Sequence, residues 1–411
     1  MRKVELLAPA GNFEKLEIAI HYGADAVYLA GKNFSLRNFS GNFSTEELRN
    51  AMALAHEHGI RVYVACNIYA RNHEQDAIAE YLRTLGEISP DALIVADPGI
   101  LAEAREILPD IPLHLSTQAN TTNYKTALFW QKLGVRRINT ARELSLTEIR
   151  EISQRTDMET EAFVHGAMCI SYSGRCLLSS FMAQRDSNRG MCCHPCRFRY
   201  TVMEAQRPGE YYPIAEDGRG AYIFNSRDLC MIEHIPEMIA SGITSLKIEG
   251  RMKGINYLAS VVRTYREAID AYYENPETYS VRKEWAEELG KISNRGYCTG
   301  FYFGDTEQVR PDYSGCHSPA GHNFLGKVLG TDKENRVVIN VRNKILKGDS
   351  VEIIGIKGPA TADTIHEIWD EKGCPLPLAQ PNSTVSILLK NARCSPNDLI
   401  RKGLNPRNQR G

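Results

Sequence analysis

A chain of 411 residues, 43% hydrophobic and 24% charged, has the makeup of a soluble globular protein with room for two or three domains and a sizeable core. Its 49 basic and 50 acidic side chains leave a net charge of -1, which excludes recognition of nucleic acid by a global field and demands a local patch for any such partner. The opening MRKVELLAPAGNFEK passes straight into a polar helix pattern and no long apolar run follows, so a signal peptide, a membrane span and a membrane partner are all unexpected and the compartment is read as cytoplasmic.

Short apolar runs alternate with helical patterns from the start. The expected strands are Val4–Ala8, Ala26–Ala30, Arg61–Cys66, Ala92–Ala96, Leu113–Ser116, Arg136–Thr140, Glu161–Val164 and Ser245–Ile248, each as apolar as strands of a covered parallel sheet should be. Helices are expected between them, including one opened by the capping box Ser44 and Glu47, one over Glu74–Ile88 and one over Tyr124–Leu133. Eight strands with intervening helices in about 250 residues predict an α/β fold, a TIM-like (β/α)8 barrel. A doubly wound sheet is the runner-up, and it lacks the glycine-rich loop after its first strand. Just past the strands stand Asn67, Asp97, Gln118, Arg142 with Glu143, His165, and Glu249 with Arg251, which a barrel would gather on one face; otherwise they are polar loop starts.

Between Arg197 and Asn225 the pattern breaks into a hairpin-like insertion with turns at Pro208-Gly209 and Asp217-Gly218. Helices are expected again over Ile255–Tyr273 and Arg282–Lys291. After Gly304 short β runs separated by turn residues predict a small β-barrel. The domains are therefore read as a barrel over 1–304, a linker over 305–322 (Asp305 to His322) and a small β-barrel over 323–411.

The chemistry concentrates in Glu161–Tyr200, which holds Cys169, Cys176, Cys192, Cys193 and Cys196, five of eleven cysteines, among Gly166, Gly174 and Gly190. Clustered cysteines in such a chain favour metal ligation or reactive thiols over disulfides. Soft metals want several sulfur ligands, and glycines let the backbone come close. Six residues separate Cys169 from Cys176 and fifteen separate Cys176 from Cys192, with Cys230 far beyond. Two-plus-two knuckle spacing of structural zinc is absent, and an irregular set at a barrel mouth fits a buried iron–sulfur cluster better. The alternative is reduced thiols packed as small hydrophobes. The expected ligands are Cys169, Cys176, Cys192 and Cys230, with Cys196 in reserve and Cys193 pointing elsewhere. Cys66 reads as core, and Cys298, Cys316, Cys374 and Cys394 as structural. Neither G-x-S-x-G nor H-E-x-x-H occurs. His165 lies near Cys169, which leaves a Cys–His nucleophile open beside a histidine bonded to its own loop.

Glu161, Phe163, Gly166-Ala167-Met168-Cys169, Gly174, Cys176 and Leu178-Ser179 resemble the signature of the peptidase U32 (collagenase-like) family. LLAPAGNFEKLEIAIHYGADAVYLAG, NRGMCCHPCR and SRDLCMIEHIPEMIASGITSLKIEGRMK resemble the same family, and the likeness spans nearly the whole chain. The resemblance implies one of two activities. Some members are described as collagenases or proteases. Others are RNA hydroxylation proteins or act in oxygen-independent ubiquinone hydroxylation and carry a 4Fe-4S cluster. The form with a C-terminal β-barrel is similar to members that make 5-hydroxyuridine at the tRNA wobble position, with prephenate implicated as hydroxyl source. Family ligands fall on Cys169, Cys176, Cys192 and Cys230, and the neighbouring Cys193 leaves the third open between two residues.

On that reading Lys247, Glu249 and Arg251, a charged set at a strand end, would with Arg142 hold an anionic small-molecule co-substrate such as prephenate, because two carboxylates need two cationic partners. Arg175, Arg189, Arg197 and Arg199 around the cysteines, and Lys390, Arg393, Arg401, Lys402, Arg407 and Arg410 near the C-terminus, would hold tRNA phosphates, and Tyr172 or Phe198 would stack on a base. The alternative is a solvated basic surface. The catalytic set expected is His165, Lys247, Glu249 and Arg251. The function read from the sequence is tRNA hydroxylation, with peptide hydrolysis as runner-up, a non-catalytic RNA-binding or assembly protein as third reading, and the need for a partner subunit left open.

Overall fold

The computed structural model describes residues 3–35, 41–169, 171–197, 216–217, 220–221, 227–304 and 322–403. Ten strands carry the first unit: β1 (Glu5–Pro9), β2 (Ala26–Leu29), β3 (Arg61–Cys66), β4 (Ala92–Val95), β5 (Leu113–Leu115), β6 (Val135–Asn139), β7 (Glu159–Ala167), β8 (Asp228–Cys230), β9 (Ser245–Ile248) and β10 (Tyr297–Cys298). Strands β1 to β7 and β9 run parallel in that order, and β9 pairs with both β1 and β7 to close the barrel. These are the eight strands expected from the sequence. Helices α1 (Phe13–His21), α2 (Thr45–Glu57), α3 (Gln75–Ile88), α4 (Pro98–Ile107), α5 (Tyr124–Lys132) and α6 (Leu146–Arg155) connect them. Their starts are written locally. Ser44 and Ser145 close capping boxes with Glu47 and Glu148, and Asp97 accepts from Gly99 and Ile100 at the head of α4. Further on lie α7 (Leu178–Ala183), α8 (Ile235–Ala240), α9 (Ile255–Glu274) and α10 (Lys283–Gly290).

Inside the barrel, alternate residues face inward and divide it in two. Leu7, Ala26, Tyr28, Tyr63, Ala65, Ala92 and Ile94 form an apolar cluster from β1 to β4. The other half is charged. Arg137 donates to Glu5 Oε1 at 2.6 Å, to Glu159 Oε2 at 2.6 Å and to Glu161 Oε2 at 3.5 Å, and Lys247 Nζ donates to Glu161 Oε1 at 2.7 Å. Ser245 and Tyr63 hydroxyls also donate to Glu5, at 2.7 and 2.6 Å. Burial alone would raise the Glu5 carboxyl, and Arg137 and Arg61 outweigh it and hold it below its ordinary range.

One element departs from expectation. β7 runs to Ala167, past the expected end at Val164, and its extension pairs antiparallel with β8, Cys230 opposite His165. Gly166 makes this possible: at φ 111° it lies where a Cβ would stand 2.4 Å from the Glu249 carbonyl oxygen. The run SRDLCMIEHIPEMIASG predicts a helix carrying Cys230; instead Asp228–Cys230 forms β8 and the helix begins at Ile235, and β10 is likewise additional. Of the hairpin-like insertion, Glu216–Asp217 pairs with Gly220–Ala221, and the remainder lies outside the described residues.

The C-terminal unit is a closed antiparallel barrel of β11 (His322–Thr331), β12 (Val337–Val341), β13 (Ser350–Ile354), β14 (Thr361–Trp369), β15 (Thr384–Leu389) and β16 (Leu399–Gly403), ordered β11-β12-β15-β14-β13-β16. The expected linker lies outside the described residues, His322 excepted. The two barrels meet through buried charge. Arg401 of β16, fully buried, donates to both oxygens of Glu288 on α10 at 2.7 and 2.6 Å and to Glu352 at 2.9 Å. Tyr22 OH donates to the Ile354 carbonyl at 2.6 Å beside them.

This contact predicts acid sensitivity. Burial would raise the Glu288 carboxyl, and its bonds to Arg401, the nearby Arg263 and the Ser260 hydroxyl instead hold it at about 2 against an ordinary 4.5. A depressed carboxyl stabilises the fold above its unfolded value, and that stability is lost as pH falls from 4.5 toward 2. The contribution is about 3 kcal/mol. Glu288→Gln should therefore be less stable than the parent in urea at pH 7, with the gap about half as large at pH 3. A gap that does not change with pH would refute the assignment.

Candidate active site

At the C-terminal ends of the barrel strands opens a cavity of about 260 Å³. Its floor is Tyr28, Ala65, Ile94 and Phe163 from inside the barrel, and its cationic wall is Lys247, Arg251 and Lys253 with Arg142. Asn67, Gln118 and Asn139 supply amides. The loop after β7 lays Cys169, Cys176, Cys192 and Cys196 along the remaining side.

The cysteine loop is fastened to the barrel by its own side chains. Glu143 accepts from the Ser173 N–H at 2.6 Å and its hydroxyl at 2.7 Å. Arg175 donates to the Gln118 carbonyl at 2.9 Å and to Tyr69 OH at 2.6 Å, and Arg189 grips the Glu74 carboxylate with both Nη atoms. Ser173, Gly174, Gln184, Gly190 and His194 adopt positive φ, which lets a short chain turn repeatedly over the mouth. Two thiols accept backbone N–H bonds of the kind that stabilise sulfur ligands: Leu178 to Cys176 Sγ at 3.4 Å and His194 to Cys192 Sγ at 3.3 Å. Cys193 does not line the cavity; its sulfur lies 3.4 Å from the Ser179 hydroxyl. Among the described residues, no three His, Cys, Asp or Glu side chains stand close enough to hold a metal ion as they are placed.

Three of the four expected sulfur ligands thus share the cavity, with Cys196 beside them. Cys230 is set apart. It lines a second cavity with Cys298 and Tyr297, where burial pushes its thiol up to about 11 and Tyr265 OH lies 3.7 Å from its sulfur. Its strand β8 pairs with the extension of β7, and Cys230 does not line the first cavity.

Lys247, Glu249 and Arg251 all line the cavity, as expected of a strand end. Lys247 is fixed by Glu161 and lies 4.4 Å from the Tyr28 ring centroid. Arg251, 3% exposed, is braced at Nη2 by Asn42 Oδ1 at 2.7 Å and Ser35 Oγ at 3.3 Å. Arg142 stacks on Phe163, 3.9 Å from its centroid, and donates to the Ala167 carbonyl at 3.1 Å.

His165 is a correction. It does not line the cavity but sits fully enclosed among the rings of Tyr257, Tyr265 and Tyr297, and burial drops it to about 3, so it is neutral. A Cys169–His165 nucleophile is therefore not assembled. Several arginines expected to meet phosphate have partners within the protein: exposed Arg175 and half-buried Arg189 hold the loop anchors, and buried Arg401 grips Glu288. Lys402 pairs with Asp349 at 3.0 Å. Phe198, Arg199, Arg407 and Arg410 lie outside the described residues. The sequence reading missed Asn139, Lys253 and the Tyr28–Phe163 floor; period-two alternation from Arg137 would have found Asn139.

The fold and cavity define a (β/α)8-barrel protein with a thiol- and cation-lined site at the strand ends and an appended β-barrel. The chain belongs to peptidase family U32: that family's profile matches residues 11–311, and the profile of the family's C-terminal domain matches residues 320–401. It is similar to the tRNA hydroxylation protein P1 of Bacillus subtilis, 42% identical over 403 residues, covering 98% of this chain and 95% of that one. It is also similar to the tRNA hydroxylation protein P of Escherichia coli, 38% identical over 421 residues and 92% of each chain. An uncharacterized protease of Methanocaldococcus jannaschii is 37% identical over 364 residues, 86% of this chain and 88% of that one.

Proposed function

We propose that this protein hydroxylates RNA, specifically that it converts the wobble uridine of tRNA to 5-hydroxyuridine with prephenate as hydroxyl donor and a 4Fe-4S cluster as cofactor. The observation that carries the reading is one cavity in which cysteines and cations converge on an aromatic floor. The names of two relatives that match over more than nine-tenths of each chain support its coarser part, tRNA hydroxylation. In the exchange, uracil C5–H becomes C5–OH, a two-electron oxidation, while the donor gives up its hydroxyl and takes the displaced hydrogen and the two electrons. A bound cluster would supply one-electron transfer on Cys169, Cys176 and Cys192, with the fourth sulfur from Cys196 on the same cavity or from Cys230 behind it.

The chain's own groups do the positioning. Arg251, held rigid by Asn42 and Ser35, and Lys247, held by Glu161, present two cations for a dicarboxylate, and preorganised donors cost no rearrangement when substrate arrives. Glu249 lines the same cavity as a carboxylate within reach of a proton released there. Outside, Tyr172 is 54% and Phe181 82% exposed on the cysteine loop, suited to stacking on unpaired bases. The Cys169–His165 pair that peptide hydrolysis would use is not assembled, because His165 is enclosed away from the cavity. No helix of the described residues is long and apolar enough to cross a membrane.

The test is nucleoside mass spectrometry of tRNA from cells with and without the protein, in a host lacking other wobble hydroxylation routes. Loss of 5-hydroxyuridine-derived nucleosides on deletion is expected. Arg251→Ala should abolish the modification while tRNA affinity, steeply salt-dependent through phosphate contacts, stays nearly intact. Unchanged nucleosides together with cleavage of gelatin by the purified protein would favour the peptidase. Unchanged nucleosides with tight tRNA binding would leave a non-catalytic RNA-binding protein.

A further inference from the structure

The cations occupy only part of the cavity wall. In the strand order β9, which carries Lys247 and leads into Arg251 and Lys253, lies across the barrel from β4, so Asn67 and Gln118, following β3 and β5, stand on the far side of the mouth, while Arg142 follows β6. Asn139 ends β6 next to them and is 3% exposed. Its Oδ1 is buried without a hydrogen-bond partner. Gln118, 5% exposed, accepts from Asn67 Nδ2 at 3.5 Å, and its own amide nitrogen makes no hydrogen bond among the described residues.

A buried carbonyl oxygen with no donor is costly, and such atoms are few in folded proteins. The carboxylates of the anionic co-substrate cannot relieve this one, because they are acceptors only. What fits is a group that offers an N–H donor beside a carbonyl acceptor and is flat enough to lie over Phe163 and Tyr28. Phe163 is stiffened by the Arg142 guanidinium stacked on it. A pyrimidine base swung out of its strand has this shape and this edge, and enzymes acting on extruded bases read them by stacking and by the pairing edge.

We propose that Asn139, with Gln118 beside it, reads the pairing edge of the target pyrimidine: Oδ1 of Asn139 accepts from the uracil N3–H, and the Gln118 amide donates to a neighbouring uracil carbonyl. The assignment rests on the proposed RNA substrate and gives the cavity two subsites, an amide side for the base and a cationic side for the hydroxyl donor.

The experiment compares binding of full-length, anaerobically prepared protein to a synthetic tRNA anticodon stem-loop carrying uridine or 3-methyluridine at the wobble position, since the methyl group removes the N3–H donor. For the parent protein, methylation should weaken binding by about tenfold. Asn139→Leu should bind the uridine RNA about as weakly as the parent binds the methylated one, and should respond to methylation by no more than about twofold. The same variant should melt no lower than the parent, because it removes an unpaired buried oxygen; a merely structural asparagine would lower the melting temperature instead. If the leucine does not fold, Asn139→Ser makes the same comparison. Equal sensitivity to methylation in parent and variant overturns the base-edge assignment alone. Failure of the parent to bind either RNA withdraws the RNA reading and this assignment with it.

Discussion

Protein with Cys169, Cys176 or Cys192 changed to serine is expected to leave an anaerobic purification without its cluster, while the parent carries about four irons and four sulfides per chain. The expectation rests on the cavity. These three sulfurs line it, two of them already accept backbone N–H bonds, and each lost thiolate would leave an iron with an open position. Cys193→Ser should retain iron, since that side chain is turned to Ser179. The fourth ligand is decided by the pair Cys196→Ser and Cys230→Ser. Iron loss in the first alone assigns it to the cavity wall. Loss in the second alone means that β8 or its neighbours shift to bring a buried thiol forward. Full iron in every variant, or zinc in place of iron, would remove the cluster from the proposal.

Arg137→Met is expected to destabilise the protein by about 3–5 kcal/mol, the usual cost of stripping one partner from a buried ion pair. Arg137 answers three carboxylates inside the barrel, those of Glu5, Glu159 and Glu161. Without it Glu5 keeps only Arg61 as cation, and its carboxyl should rise. The sign of the pH effect follows. In the parent, protonating Glu5 costs stability as pH falls; in the variant, protonation relieves an uncompensated charge. Denaturant titrations should show the largest difference at neutral pH and a smaller one near pH 4. A loss below about 1 kcal/mol at neutral pH would mean that water or a rearranged lysine already serves these carboxylates.

The barrel was legible because its strands are short apolar runs separated by capped helices, and both signals are local. Val62, Val64 and Leu93 announce strands whatever surrounds them. The mouth was partly legible for the same reason: residues directly after a barrel strand must rise to one face, and Asn67, Gln118, Arg142, Glu249 and Arg251 do. His165 was misplaced because β7 does not stop at Val164. The glycine that lets it continue is visible in the sequence, but the partner strand β8 comes from more than sixty residues later. That Cys230 lines a separate cavity was hidden by the same omission, since spacing says nothing of which side of a strand a distant segment will cover. Arginines posed a different difficulty. Arg175, Arg189 and Arg401 read as phosphate ligands from charge alone, yet Gln118, Glu74 and Glu288 claim them, and no periodicity links those positions.

The buried Arg401 has a consequence for how the molecule comes apart. Its guanidinium belongs to the second barrel and the Glu288 carboxylate it grips to a helix of the first, so parting the units breaks a buried bidentate pair and leaves Arg401 with Glu352 alone and Glu288 with Arg263. Melting should therefore be cooperative across both barrels, registered as one calorimetric transition rather than two. Exchange of the C-terminal unit with that of a relative should succeed only where arginine and glutamate are transplanted together.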